Sequence, residues 1–242
     1  MSTASPDSLP LPSLFGPTVR RASVVGRFYL VYGSLVSAIL GVALGLSRSS
    51  AFASSFPLFL PIFGVVGSMG ALVVFTNDRQ KGVLEYLMAY GFSPRRLFLD
   101  ILATSLVLVS VVLVVALGVG LGFYLARGNS ITLTLAVILG VYSVPMTYVS
   151  AAFAATAGMF WTSLSSPRMG SNSPLGLVPL IGILPATGTL GVILALESEG
   201  VHSATTLLIV AVGAIGLIAV TVVVLFSLTG RLLRRERLLS QG

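Results

Sequence analysis

Six long apolar runs set the limits on what this chain can fold into. They fall at residues 28–47, 56–76, 97–126, 131–162, 174–196 and 203–230. Each is long enough to cross a hydrocarbon core, which takes about 20 helical residues. A backbone inside lipid must satisfy its own hydrogen bonds, so runs of this length read as helices. Composition agrees, with 55% of the 242 residues hydrophobic and 9% charged, where a soluble domain carries about 25% charged residues. The expected fold class is an all-α integral membrane protein with six transmembrane helices. The third and fourth runs exceed the hydrocarbon thickness, which implies tilt or extension beyond it. The fifth is interrupted by Pro179, Gly182, Pro185 and Gly188. That pattern fits a kinked or broken helix covered by protein or water.

Basic residues give the expected orientation. With the N-terminus inside, twelve of the fourteen Lys and Arg residues fall on the cytoplasmic side and only Arg48 and Arg127 fall outside. Cytoplasmic loops carry this excess, so both termini and the 77–100 segment are expected to be cytoplasmic, in a plasma membrane. The formal net charge of +7 then sets topology and touches anionic lipid, and nucleic acid is not an expected partner. Cysteine is absent, so disulfide and thiol chemistry do not enter.

The expected domain plan has three parts. Residues 1–27 form a cytoplasmic tail ending in a short basic stretch, 28–230 the six-span unit, and 231–242 a basic cytoplasmic tail. No signal-peptide pattern opens the chain. The run PTVRRASVVGRF from Pro17 reads as an interfacial helix. In that reading Val19, Ala22 and Val25 or Gly26 face lipid, and Arg20, Arg21 and Arg27 face headgroups. It reads equally as a plain basic flank of the first span.

No Asp, Glu, Lys, Arg or His lies at the middle of any run. Ion-driven transporters and voltage sensors keep ionisable groups there, and intramembrane hydrolysis needs a base beside its nucleophile. These classes are therefore disfavoured. His202 lies near Glu197 and Glu199, but a lone histidine in a polar loop is more simply solvated than metal-bound, and no metal is expected. The phosphate-cradling G-x-x-x-x-G-K-[ST] pattern needs Lys after Gly. The single Lys81 follows Gln80, so no nucleotide site, catalytic residue or cofactor is expected in this chain. Energy for driven work has to come from another protein.

The polar segment between the second and third runs is where such a protein would push. It reads NDRQKGVLEYLMAYGFSPRRLFLD. Asp78 is the expected N-cap of a helix from Arg79 to Tyr90, ended by a left-handed Gly91. Ser93 and Pro94 then restart a helix as N-cap and first residue. Val83, Leu84, Leu87 and Met88 form one apolar stripe at helical spacing. Lys81 and Glu85 stand four apart and are expected to pair. Gly82, inside this helix, costs about 1 kcal/mol relative to Ala, and close approach of another backbone is one reason to keep it. The segment reads about equally as a lever for a partner and as a plain loop lying on headgroups.

The order of six runs, the cytoplasmic start and this loop resemble the permease subunits of type-2 ATP-binding-cassette (ABC) exporters. Those proteins carry an acidic-basic pair, then a Gly, then Leu-Glu-x-Leu, then a Ser-Arg-type restart. Here the places are held by Asp78-Arg79, Gly82, Leu84-Glu85-Tyr86-Leu87, and Ser93 with Arg95. The proline-interrupted fifth run and the basic tail fit as well. Where many members carry a proline, this chain has Tyr90-Gly91-Phe92.

The resemblance implies a coupling helix docked on a cassette ATPase, with that role falling on Asp78, Arg79, Gly82, Val83, Leu84, Glu85, Leu87, Met88, Ser93 and Arg95. It implies a homodimer with two ATPase subunits, and ATP and Mg bound by those subunits. Gly41 with Gly45, and Gly118 with Gly122, are small pairs that let helices approach closely, within one subunit or between two. Tyr142, Ser143, Thr147 and Tyr148 either line a pathway or satisfy one another between helices, the second being the stronger expectation. An apolar pathway favours an amphipathic or hydrophobic cargo. The alternatives are a membrane assembly or scaffold protein using the same loop, and the related haem-exporter subunit of cytochrome maturation.

Overall fold

The computed structural model describes residues 13–46, 49–164, 183–189, 191–192 and 204–239. Among them all regular structure is helical and there is no strand. In chain order the elements are α1 (Phe15–Val25), α2 (Arg27–Gly45), α3 (Ser49–Gln80), α4 (Val83–Ala89), α5 (Pro94–Ala126) and α6 (Leu133–Val137). A π-helical turn (Ile138–Ser143) joins α6 to α7 (Val144–Leu164). A short helix, α8, covers 183–189, and α9 runs over Ala204–Leu239.

Among the described residues five helical segments are long and apolar enough to cross a membrane: Arg27–Gly45, Ser55–Gln80, Pro94–Ala126, Leu133–Trp161 and Leu208–Thr229. They match five of the six expected runs and are compatible with a multi-pass membrane protein. The expected fifth run, 174–196, lies outside the described residues except for 183–189 and 191–192. Arg48, Arg168, His202, Glu197 and Glu199 also lie outside them. Helix α9 continues past residue 230 to Leu239, so the basic tail extends the last apolar helix.

Helix α3 is the axis of the bundle. It packs against α1, α2, α5 and α7, and three of its glycines sit where those helices come closest. A Cβ on Gly64 would fall 2.2 Å from Thr147 Cγ2 of α7, and one on Gly67 would fall 3.2 Å from Val109 Cα of α5. At Gly70 the α1–α2 corner arrives backbone to backbone, since a Cβ on Gly26 would lie 2.4 Å from Gly70 Cα. Gly41 of α2 lies against Gly120 of α5, with an added Cβ 3.0 Å from the Gly120 nitrogen. The predicted Gly41–Gly45 pair therefore packs inside this chain. Gly118 and Gly122 do not, because an added Cβ at either meets nothing within 4 Å.

The apolar core has a cluster towards each end of the bundle. One holds Phe75, Leu84, Met88, Phe92, Phe98 and Met159. The other is built on Phe52, stacked 4.7 Å from Phe56 and 4.4 Å from Tyr124. Outward faces stay apolar, as a lipid solvent permits: Leu35, Ile39, Val114, Leu217 and Val223 are all exposed.

The polar residues of the fourth run settle mostly among helices. Ser143 Oγ donates to the Ile138 carbonyl at 3.3 Å across the π turn, and Thr147 Oγ1 to the Ser143 carbonyl at 2.6 Å. Tyr148 and Ser110 of α5 share a 2.8 Å hydrogen bond. Tyr142 is buried with Met146 and Ala211.

The interfacial-helix reading of the N-terminal stretch needs correction. The helix forms, but Ala22 is fully buried and sits by Gly70, while Arg21, itself exposed, reaches across to the Asp78 carboxylate. Val25 is exposed as expected, and Val24 is exposed beside it. The helical path from α1 into α2 presses this side onto α3, so Ala22 and Gly26, the two smallest residues there, take the contact.

Candidate partner-docking site

The link from α3 to α5 is a knuckle of three helices and two glycine turns. Helix α3 does not stop at Asn77, because nothing before Lys81-Gly82 breaks it, and its helical bonding runs through Asp78 and Arg79 to Gln80. Asp78 is thus not an N-cap. The cap position of α4 belongs to Gly82, at φ 69°. This left-handed conformation is cheap only for glycine. No backbone of this chain comes close to Gly82 among the described residues, since the nearest atom to an added Cβ is Glu85 Oε2 at 3.9 Å. The turn separates Lys81 from Glu85, and no ion pair joins them among the described residues. Gly82→Ala should keep the chain folded and cost about 1 kcal/mol, read as a small drop in Tm of the detergent-solubilised protein. An unchanged or raised Tm would contradict the assigned backbone.

The other end of α4 closes as the sequence predicts. Gly91 has φ 95°. Its N–H donates to the Met88 carbonyl and that of Phe92 to the Leu87 carbonyl, both at 3.1 Å. This is the paired pattern of a glycine-terminated helix, completed by an apolar residue beyond it. That residue, Phe92, is buried with Leu84 and Met88. Ser93 Oγ accepts from the Arg96 N–H at 3.3 Å and Pro94 opens α5.

The predicted site residues divide in two. Leu84 and Met88 are buried, with Val83 and Leu87 half-buried beside them. The apolar stripe therefore faces the protein's own core and is the seat of α4. Asp78 and Arg79 are also inward, each 6% exposed. Outward lie Lys81, Glu85, Ser93 and Arg95, together with Tyr86 and Tyr90.

Two features escaped the sequence reading. Arg21 of α1 reaches Asp78 with both guanidinium nitrogens, Nη1 to Oδ2 at 3.0 Å and Nη2 to Oδ1 at 2.5 Å. A bidentate pair of this kind is among the stronger polar contacts, and it ties the N-terminal helix to the knuckle. The second is the pair Tyr86 and Tyr90, 60% and 63% exposed. Their rings lie 4.6 Å apart, and the Tyr86 hydroxyl donates to that of Tyr90 at 2.9 Å. That bond, with some loss of hydration, raises the Tyr86 hydroxyl above its usual pKa. The i, i+4 spacing of two tyrosines was the available signal.

No group of three or more metal-ligating side chains occurs among the described residues. The exposed face of α4 presents two aromatic rings, one carboxylate and a neighbouring ammonium. Exposed tyrosines of this kind are favoured at protein interfaces. No protein family, curated protein or solved structure matches the chain.

Proposed function

We propose that this chain is the membrane subunit of an ABC-type exporter. In this reading six helices span the plasma membrane, both termini are cytoplasmic, and two copies work with two cassette ATPase subunits that bind ATP and Mg. The observation that carries the reading is the seating of α4. Leu84, Met88 and Phe92 fix it to the ends of α3 and α5, while Glu85, Tyr86 and Tyr90 remain open to a partner. A helix held on one side and free on the other passes a push directly to the two spans it joins. The spans then rock between inward-open and outward-open states. With no ionisable residue midway through the five apolar segments, a hydrophobic or amphipathic cargo suits the pathway.

The docking residues in this proposal are Lys81, Glu85, Tyr86 and Tyr90, with Ser93 and Arg95 at the margin. Asp78, Arg79, Gly82, Val83, Leu84, Leu87 and Met88 shape and hold the lever. The test is Glu85→Ala with Tyr86→Ala, two exposed positions whose loss spares the core. The variant should insert normally, and ATPase co-purification and nucleotide-dependent flux in proteoliposomes should fall about tenfold or more, in line with loss of an interface anchor. Unchanged flux and co-purification would remove α4 from the mechanism. Flux in the absence of any ATPase would remove the exporter reading, and stable partner binding without flux would leave a scaffold.

A further inference from the structure

A groove of 520 Å³ lies between the start of α5 and the later part of α9, lined by Arg95, Phe98, Leu102, Val222, Phe226 and Arg231 among others. Its volume is within the range of about 300–1,000 Å³ usual for small-molecule sites. Phe98 and Phe226 meet edge to face at 6.3 Å and hold the two helices in place behind it. The walls are apolar, with Leu99, Val223 and Ser227 completing the lining. The charged lining residues are Arg95 and Arg231, and no carboxylate is among them.

Polarity changes along the groove in step with the helices. Arg95 is the second residue of α5, and Leu102 lies two turns further in. Arg231 comes just after the apolar segment Leu208–Thr229, and Val222 and Phe226 lie within it. Two cations therefore flank one end of an apolar trough, and the trough extends about 10 Å along the helices at 1.5 Å per residue. We infer that this groove binds one anionic phospholipid, with its phosphate between Arg95 and Arg231 and an acyl chain along Leu99, Leu102 and Phe226.

The occupant follows from depth and charge. In a membrane the arginines sit at the edge of the apolar layer, where phosphates are the abundant anions, and the trough runs into the layer where acyl chains lie. Guanidinium groups match phosphate oxygens in geometry as well as charge. A soluble anion would use the arginines but leave the apolar wall unfilled. A protein partner would need an acid beside an apolar finger at headgroup depth. The inference uses the membrane reading of the chain and is independent of any ATPase.

The experiment titrates the purified full-length protein with dioleoylphosphatidylglycerol or dioleoylphosphatidylcholine and counts bound lipid by native mass spectrometry. One phosphatidylglycerol should be retained in clear preference to phosphatidylcholine. Each arginine near the surface is worth about fivefold, so Arg95→Gln with Arg231→Gln should weaken phosphatidylglycerol binding about 25-fold and erase the preference. Arg95→Lys with Arg231→Lys should keep most of it. Leu102→Trp, which fills the trough and leaves the charges in place, should reduce retention of both lipids. Millimolar inorganic phosphate should displace neither. Equal retention of the two lipids by the unmodified protein, displacement by phosphate, or full binding by a folded Gln variant would each overturn the assignment. The first two need no variant, so the test stands even if the substitutions disturb folding.

Discussion

Gly26→Ala should lower the Tm of the solubilised protein by about 10 °C, the equivalent of about 3 kcal/mol. The added carbon would lie 2.4 Å from Gly70 Cα and 2.6 Å from the Ala22 carbonyl. Both are backbone atoms, so no rotamer change can make room. Relief requires α1 and α2 to lift from α3, and that movement also disturbs Ala22, which is fully buried at the same contact. Overpacking in a core typically costs about 1–3 kcal/mol, and a backbone collision belongs at the upper end. The control is Gly118→Ala, where an added carbon meets nothing within 4 Å. There the helix gains alanine's better propensity, worth about 1 kcal/mol, and Tm should hold or rise. Size-exclusion thermal stability of the two variants side by side decides the matter. Equal behaviour would mean that the α1–α2 corner does not rest on Gly70.

Arg21→Ala should destabilise the chain by about 2 kcal/mol, and Asp78→Ala by clearly less. The asymmetry follows from burial: the Asp78 side chain is 8% exposed and that of Arg21 52%. Removing Arg21 leaves a carboxylate short of water and of its bidentate partner. Removing Asp78 leaves a guanidinium that water can reach. Part of the pair sits in solvent, so the cost falls below that of a fully buried pair, which is about 3–5 kcal/mol. Arg21→Ala with Asp78→Ala should recover much of the loss, because no orphaned carboxylate remains. Chemical denaturation of the three variants measures the coupling. Equal single losses with strict additivity would show that the two residues act separately. If α4 is a lever, cutting this tie should also loosen α1 from the knuckle, with a matching fall in coupled flux.

Much of the fold was legible because lipid permits few solutions. Runs of 20 or more apolar residues left little choice, and the described helices follow five of the six closely. Turn chemistry was legible where one residue type decides it: Gly91 for the end of α4, and Ser93-Pro94 for the start of α5. The same rule does not hold at Asp78. Aspartate favours caps, but it also serves inside a helix when a distant cation meets it, and Arg21 is 57 positions away in sequence. No local pattern records that contact. Helical spacing continues on both sides of Gly82 and hides its role, although Lys81-Gly82 is the break between α3 and α4. The apolar stripe of α4 was seen correctly, but its direction depends on Phe75, Phe92 and Phe98, which only the fold gathers. Among the glycines, spacing of four marked the exposed Gly118 and Gly122 as readily as the buried Gly41 and Gly45. The glycines of α3, Gly64, Gly67 and Gly70, stand three apart, and only the fold shows that they pack against neighbouring helices.

The wide turn at Ile138–Ser143 bears on how this span tolerates change. An α-helix that takes in one surplus residue as a π bulge keeps the faces on either side of it in phase. Thr147 still meets Gly64 and Tyr148 still meets Ser110 because the extra residue is absorbed before them. The loss of one residue between 138 and 143 would therefore draw the turn back to ordinary α pitch without rotating either half. The same loss in the regular stretch of α7 would swing everything beyond it by about 100°. The bundle thus carries a built-in place where its length can be trimmed by a single residue while its seams stay aligned.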